Sequence, residues 1–128
     1  MAAASERIVV RVTRHFTRNL DGIGDFLHEA DAQDTFEALL DDLFLDAIPA
    51  LERFPELGAD FFGRAAASRE GAQLAENLRL RLGRDTALRQ LIRGDYLLPY
   101  ARRQNELFLL AIRHHRQLSF DLPEFLGE

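Results

Sequence analysis

Cysteine is absent from this chain of 128 residues. That excludes disulfides, thiol nucleophiles and thiolate metal sites, and it fits an expected cytoplasmic location. Lysine is absent too, so every one of the 16 basic residues is arginine. No apolar run approaches the roughly 20 residues needed to cross a bilayer, and the start, Met1-Ala-Ala-Ala-Ser-Glu6, lacks the basic and apolar regions of a signal peptide. No membrane role is expected. A glycine loop that cradles phosphate is missing, as is a serine nucleophile elbow. Only His15, His28, His114 and His115 are available as imidazole ligands, and none stands at a metal-binding spacing. Neither metal nor cofactor is expected.

What is present is ordinary for a globular domain: 47% apolar and 29% charged residues. The length suits one domain with one modest core. The net charge of −5 is unevenly spread. Residues 15–62 hold twelve acids and two arginines, whereas residues 84–119 hold seven arginines and three acids. One reading is two partner faces of opposite sign. The other is two solvated surfaces that merely differ.

Arg7–Thr13 is rich in β-branched residues and reads as a strand, with Ile8, Val10 and Val12 on one face and Val9 and Arg11 on the other. Thr13 or Thr17 can cap the helix that follows. Phe16, Leu20, Ile23, Leu27 and Ala30 form one helical stripe. Gly22 and Gly24 interrupt that helix and can admit a close neighbour. Asp31 and Asp34 supply start chemistry for a second helix that runs to about Phe54. Its stripe is Phe36, Leu39, Leu40, Leu43, Ala47, Leu51 and Phe54. Phe44, Leu45 and Ile48 lie off the stripe, so this helix is either sandwiched in the core or carries a partner patch. Pro49 is expected to kink or shorten it, and Pro55 and Gly58 to end it.

The segment 59–86 is weakly patterned, with a short helix suggested by Leu74, Ala75, Leu78 and Leu82 and stopped by Gly83. Leu88–Arg93 reads as a strand. Tyr96–Ala101 and Leu107–Ile112 then form an antiparallel pair around a polar break, where Asn105 can take the positive φ of a tight turn. Phe120, Leu122, Phe125 and Leu126 are too apolar for a free tail, so they fold back or mediate self-association. The result is an α+β domain spanning 1–128: an N-terminal strand, then an antiparallel helical hairpin packed on a small, mainly antiparallel sheet of about four strands. Residues at about 59–86 are an atypical inserted segment.

The chemistry concentrates in Arg113-His114-His115-Arg116, where histidines between arginines could exchange protons near neutral pH. In a strand, Arg113 and His115 share one face and His114 and Arg116 the other. Arg102 is the nearest further cation, within two strands' width, and could add a phosphate contact. Arginines with Tyr96 and Tyr100 among them also raise nucleic-acid binding, which the net acidity opposes. Both tyrosines read more simply as strand core.

Three stretches carry a resemblance: Arg7-Ile-Val-Val-Arg-Val-Thr13 with Phe16, Asn19-Leu20-Asp21, Ile23 and Phe26-Leu27; then Leu51-Glu-Arg-Phe-Pro-Glu-Leu-Gly58; then Gly94-Asp95-Tyr96-Leu-Leu-Pro-Tyr100 with Leu109-Leu-Ala-Ile-Arg-His-His-Arg116. In this order they resemble the RelE/ParE superfamily of bacterial toxins from type II toxin–antitoxin systems. The likeness covers residues 7–58 and 88–118, but neither 59–86 nor the last ten residues. It implies the same strand–helical hairpin–strands order, a cytoplasmic growth-inhibiting toxin of the plasmid-stabilisation kind, and a cognate antitoxin that wraps it. It also implies one of two activities. ParE-like members poison DNA gyrase by protein contact. RelE-like members cut mRNA on the ribosome with basic residues on the sheet.

Carried onto this chain, Arg93, Arg113 and His115 are the catalytic candidates for a ribonuclease. Phe120 stands where a late tyrosine would be sought, and phenylalanine cannot move a proton. The Ile-Arg-His-His-Arg run is closer to the ParE side, which is therefore favoured. Under that reading Arg102, Arg113, His114, His115 and Arg116 are candidates for binding the target, and Phe44, Leu45 and Ile48 for binding the antitoxin. A degenerate member without toxicity is the third reading. The expected partners are the antitoxin with gyrase, or alternatively the ribosome with mRNA. A homo-oligomer or a toxin–antitoxin hetero-oligomer is compatible with either.

Overall fold

Strand β1 (Val9–Val12) is the first element because three of its four residues are β-branched valines, which favour extended backbone. The computed structural model describes residues 7–60, 73, 76, 77, 80, 81, 83 and 85–114. Ile8 and Val10 face the core as their spacing predicts, while Val9 and Arg11 face away. Val12 departs from the expectation and is exposed. The backbone N–H of Thr13 bonds the Leu109 carbonyl at 3.1 Å. Its hydroxyl donates to the same carbonyl at 2.9 Å and accepts from the Phe16 N–H at 3.2 Å. Thr13 therefore caps helix α1 (Arg14–Glu29) and ties its start to the sheet.

Helix α1 lays Phe16, Leu20 and Ile23 on the core. The two glycines differ. A Cβ at Gly24 would fall 2.8 Å from the Phe36 ring, so this glycine is the place where the second helix comes close. A Cβ at Gly22 would meet nothing within 4 Å. Asp31 does not start the next helix. It adopts φ 55 and its N–H bonds the His28 carbonyl, which closes α1. The position before helix α2 (Gln33–Asp41) is Ala32, without a side-chain cap, and Asp34 is the acid of the first turn.

Pro49 neither breaks nor ends this helix. The backbone widens into a π-helical segment, Asp42–Ala47, and continues as α3 (Ile48–Arg53) with Pro49 in its first turn. The Ile48 N–H reaches the carbonyl of Leu43, five residues back. A widened turn removes the need for a bond from the missing proline N–H to residue 45. Leu39, Leu43, Ala47 and Leu51 still line one buried seam. Phe54, placed on the stripe by its spacing, lies past α3 and is exposed.

Strands β2 (Ala59–Asp60), β3 (Ala87–Arg93), β4 (Tyr96–Arg103), β5 (Glu106–Leu109) and β6 (Arg113–His114) complete the sheet. The order is β1-β5-β4-β3-β2, and β6 also pairs with β4. All pairs are antiparallel except β1 with β5. The turn between β4 and β5 takes its positive φ at Gln104 (φ 56), not at Asn105. Asn105 instead offers its carbonyl to the Val9 N–H at 2.8 Å, which joins the turn to β1. The expected strand 107–112 is split: β5 ends at Leu109, the N–H of Leu110 bonds the Pro99 carbonyl, and pairing resumes only at Arg113. Strand β4 is thus central, bonded to β3 along its length, to β5 at its C-terminal half and to β6 at its N-terminal end.

In the segment 59–86, Gln73, Glu76, Asn77, Leu80 and Arg81 are helical and Gly83 takes φ 98. The leucines expected to pattern that helix, Leu74, Leu78 and Leu82, lie outside the described residues, as do His115, Arg116 and the apolar segment from Phe120 to Leu126. The core closes Phe16 and the α2–α3 seam over Leu91, Leu98, Tyr100, Leu107 and Leu109.

Candidate partner-binding site

Register sets Arg93 and Tyr96, which flank the β3–β4 turn, in one row with the distant His114. Arg93 is opposite Tyr96 across β3 and β4, and Tyr96 is opposite His114 across β4 and β6. Cross-strand partners project from the same face of a sheet. At one end of this row, Arg93 donates from Nε to Asp42 at 3.2 Å and from Nη2 to both Asp42 and Asp46. The two acids stand four apart on the π-helical segment, and one guanidinium bridges them. The hydrogen bonds to Asp42 and then Asp46 push the Arg93 pKa up, outweighing the opposing effect of burial, so the side chain stays charged.

At the other end, the Tyr96 ring meets the His114 ring edge-on, with centroids 5.4 Å apart and planes at 80°. Burial raises the Tyr96 phenol pKa, and the charge of Asp95 adds to the effect. This pair forms one wall of a groove of about 750 Å³ between α1 and the β4–β6 edge. Ile23, Phe26 and Leu27 form the helix wall, with Ile112 at the base and Arg18 and Arg113 adding positive charge. Asn19 on α1 holds the groove shut at its base by accepting the Ile112 N–H at 3.2 Å. The volume falls within the range of about 300–1,000 Å³ typical of ligand sites.

The candidates drawn from the sequence separate in space. Arg113 and His114 share the groove, whereas Arg102 belongs to the far end of β4. Arg113 pairs with Leu97, five residues from Arg102, which is roughly 16 Å along a strand. Arg102 is therefore not a neighbour of Arg113, since the distance runs along one strand rather than across two. Arg102 instead donates to the Gln104 carbonyl at 3.0 Å and faces Glu56 at 3.5 Å. Of the apolar trio, Phe44 and Leu45 are exposed, while Ile48 packs partly on the core. Widening of the helix turns Ile48 inward and leaves the other two outside.

Sequence reasoning passed over Phe26, which is 68% exposed in the groove wall. Its signal was available, because Phe26 lies off the stripe of α1 and a large aromatic on a polar face invites a partner. Tyr96, read as core, also belongs to the groove. Among the described residues no group of three His, Cys, Asp or Glu is placed to hold a metal, and no helix is long and apolar enough to cross a membrane.

Comparison with known proteins gives two results. The chain matches the family model of the ParE toxin of the type II toxin-antitoxin system, parDE, over residues 10–119. It also resembles a solved structure, the chromosomal ParDE toxin–antitoxin system from P. aeruginosa, with 16% identity and a TM-score of 0.54, covering 86% of this chain and 98% of that one. At that identity the likeness shows a shared fold. No curated protein sequence matches the chain.

Proposed function

The chain belongs to the ParE toxin family of type II toxin–antitoxin systems, and from that premise we propose that it arrests growth by protein–protein contact with DNA gyrase and is neutralised by a cognate antitoxin. The observation that carries this reading over ribosome-dependent RNA cleavage is the state of Arg93. A ribonuclease on this sheet needs a cation aimed at a scissile phosphate. Arg93, first of the candidate catalytic set, is committed instead to Asp42 and Asp46. The exposed Phe44 and Leu45 support a partner surface on the helical side. Arg113 and His114 support a second one at the groove.

Expression of the intact chain in bacteria tests the reading. The expected outcome is a DNA-damage response with relaxed plasmid and intact mRNA, relieved by co-expression of the antitoxin encoded beside it. Transcripts cut on ribosomes would replace gyrase with RNA as the target. Absence of any growth arrest would make the chain a non-toxic member of its family. Phe44→Asp with Leu45→Asp should weaken antitoxin binding without lowering the melting temperature.

A further inference from the structure

The groove between α1 and the β4–β6 edge is polar at one end and apolar at the other. The Asn19–Ile112 hydrogen bond, 3.2 Å, fixes where α1 meets the chain entering β6. The residues next to that bonded pair, Arg18 and Arg113, both line the groove. Two guanidinium groups therefore belong to one end. Ile23, Phe26 and Leu27 continue the wall along α1 away from them. Thr35 and Asp95 line both this groove and an adjoining cavity of about 420 Å³ against α2. Thr35 follows the α1–α2 turn, so these two mark the far end.

We propose that this groove binds a medium-chain fatty acid, with its carboxylate between Arg18 and Arg113 and its alkyl chain along Ile23, Phe26 and Leu27.

Charge selects the head group. Asp95 is the one acid among the lining residues, against two arginines, although the chain as a whole carries −5. Both arginines also have contacts within the protein. A guanidinium has five N–H donors in a fork that matches a carboxylate, so it can hold a carboxylate besides. Length and surface select the tail. The stretch of α1 from Arg18 to Leu27 is roughly 14 Å, the reach of an extended alkyl chain of medium length. Such a chain would cover Phe26, which is 68% exposed. Asp95 then sets a limit: a second anionic group at the tail end would meet like charge, which favours a plain monocarboxylate over a diacid.

The chain has two tyrosines and no tryptophan. Tyr100 is sealed in the core and Tyr96 borders the groove, so emission from Tyr96 reports on a ligand entering. Sodium decanoate, titrated into the purified full chain below its micelle-forming concentration, should change that emission to saturation. Calorimetry should give a similar Kd for the Tyr96→Phe protein, in which the optical signal is lost. Decanoate should bind about tenfold more tightly than decanol, because its charged head pairs with the arginines. It should also bind about tenfold more tightly than decanedioate, whose second carboxylate faces Asp95. Arg18→Gln with Arg113→Gln should bring decanoate down to the level of decanol while decanol binding stays as it was, which shows the groove intact. Phe26→Asp should weaken both ligands.

Absence of saturable decanoate binding would overturn the proposal. So would equal affinity for decanoate and decanol in the unaltered chain, a comparison that stands even where a variant fails to fold. Phosphatidylglycerol vesicles should not bind. Binding to them in place of decanoate would make the contact a membrane surface and overturn the proposal as well. No readout depends on toxicity or on its target.

Discussion

Strand β4 carries two tyrosines on one face, four residues apart, and they do opposite things. Tyr100 is fully buried, and its hydroxyl donates to the Pro55 carbonyl at 2.8 Å and accepts from the Gly58 N–H at 2.9 Å. Arg89 adds 2.6 Å to the Gly58 carbonyl from the neighbouring strand. A Cβ on Gly58 would lie 2.8 Å from the Tyr100 ring and 2.9 Å from the Gln90 backbone, so only glycine fits beneath the ring. The Phe54–Gly58 loop is thereby clamped to the sheet. Tyr96 has the same register parity but no such lid. It stands half-buried in the groove wall, edge-on to His114. The difference teaches that a satisfied, enclosed tyrosine at one end of the strand holds the fold. The one at the other end stays half-buried along the groove.

The comparison can be broken most forcefully at Tyr100. Tyr100→Ala should cost about 3–5 kcal/mol in urea or thermal unfolding, the range for deleting a buried aromatic ring. Tyr96→Ala should cost less than half of that. Equal losses would mean that both tyrosines are core. Next comes the glycine: Gly58→Ala should cost about 1–3 kcal/mol by overpacking, whereas Gly22→Ala, with open space around it, should be neutral or slightly stabilising by helix propensity.

A finer cut removes only the hydroxyl. Tyr100→Phe leaves the Gly58 N–H and the Pro55 carbonyl without their partner and should cost about 1–3 kcal/mol. The same change carries a pH signature. Burial raises the Tyr100 phenol above its ordinary value of 10.0, against the lowering effect of the Gly58 N–H. The folded state therefore keeps a proton that the unfolded chain loses, and its stability falls as pH rises past 10. Because Tyr96 is raised as well, Tyr100→Phe should flatten this alkaline decline without abolishing it, as read by unfolding curves at a series of pH values. A smaller loss is expected at Arg93. Arg93→Gln should lose at most about 1 kcal/mol, less at high salt, since its ion pairs are partly exposed. If it instead abolished growth arrest while binding of the antitoxin stayed intact, the side chain would belong to the target site.

Much of the architecture was legible because periodicity is local. The stripe Phe16-Leu20-Ile23, the β-branched start and the two apolar runs around Arg103–Glu106 report directly which residues must leave water. Boundaries were less legible where two local rules competed. Pro49 signals a break, but the seam Leu39-Leu43-Ala47-Leu51 gains more by staying continuous, and a π-helical turn reconciles them. The two-residue strands β2 and β6 have no pattern of their own and exist only through their pairing with β3 and β4. Within the site, Arg113 and His114 were identifiable by charge. Their company was not, since the row Arg93–Tyr96–His114 depends on strand register.

The order of the main elements, most of the core face of each and the kinship with a toxin family lay in the sequence itself, because each rests on side chains compared with near neighbours. Tertiary structure alone decided that Tyr100 would be enclosed and Tyr96 open, that Arg93 would be taken by two helix carboxylates, and that α1 would stand off the sheet far enough to leave a groove. Those outcomes depend on which distant segment arrives opposite a residue, and that is fixed by packing across the whole domain.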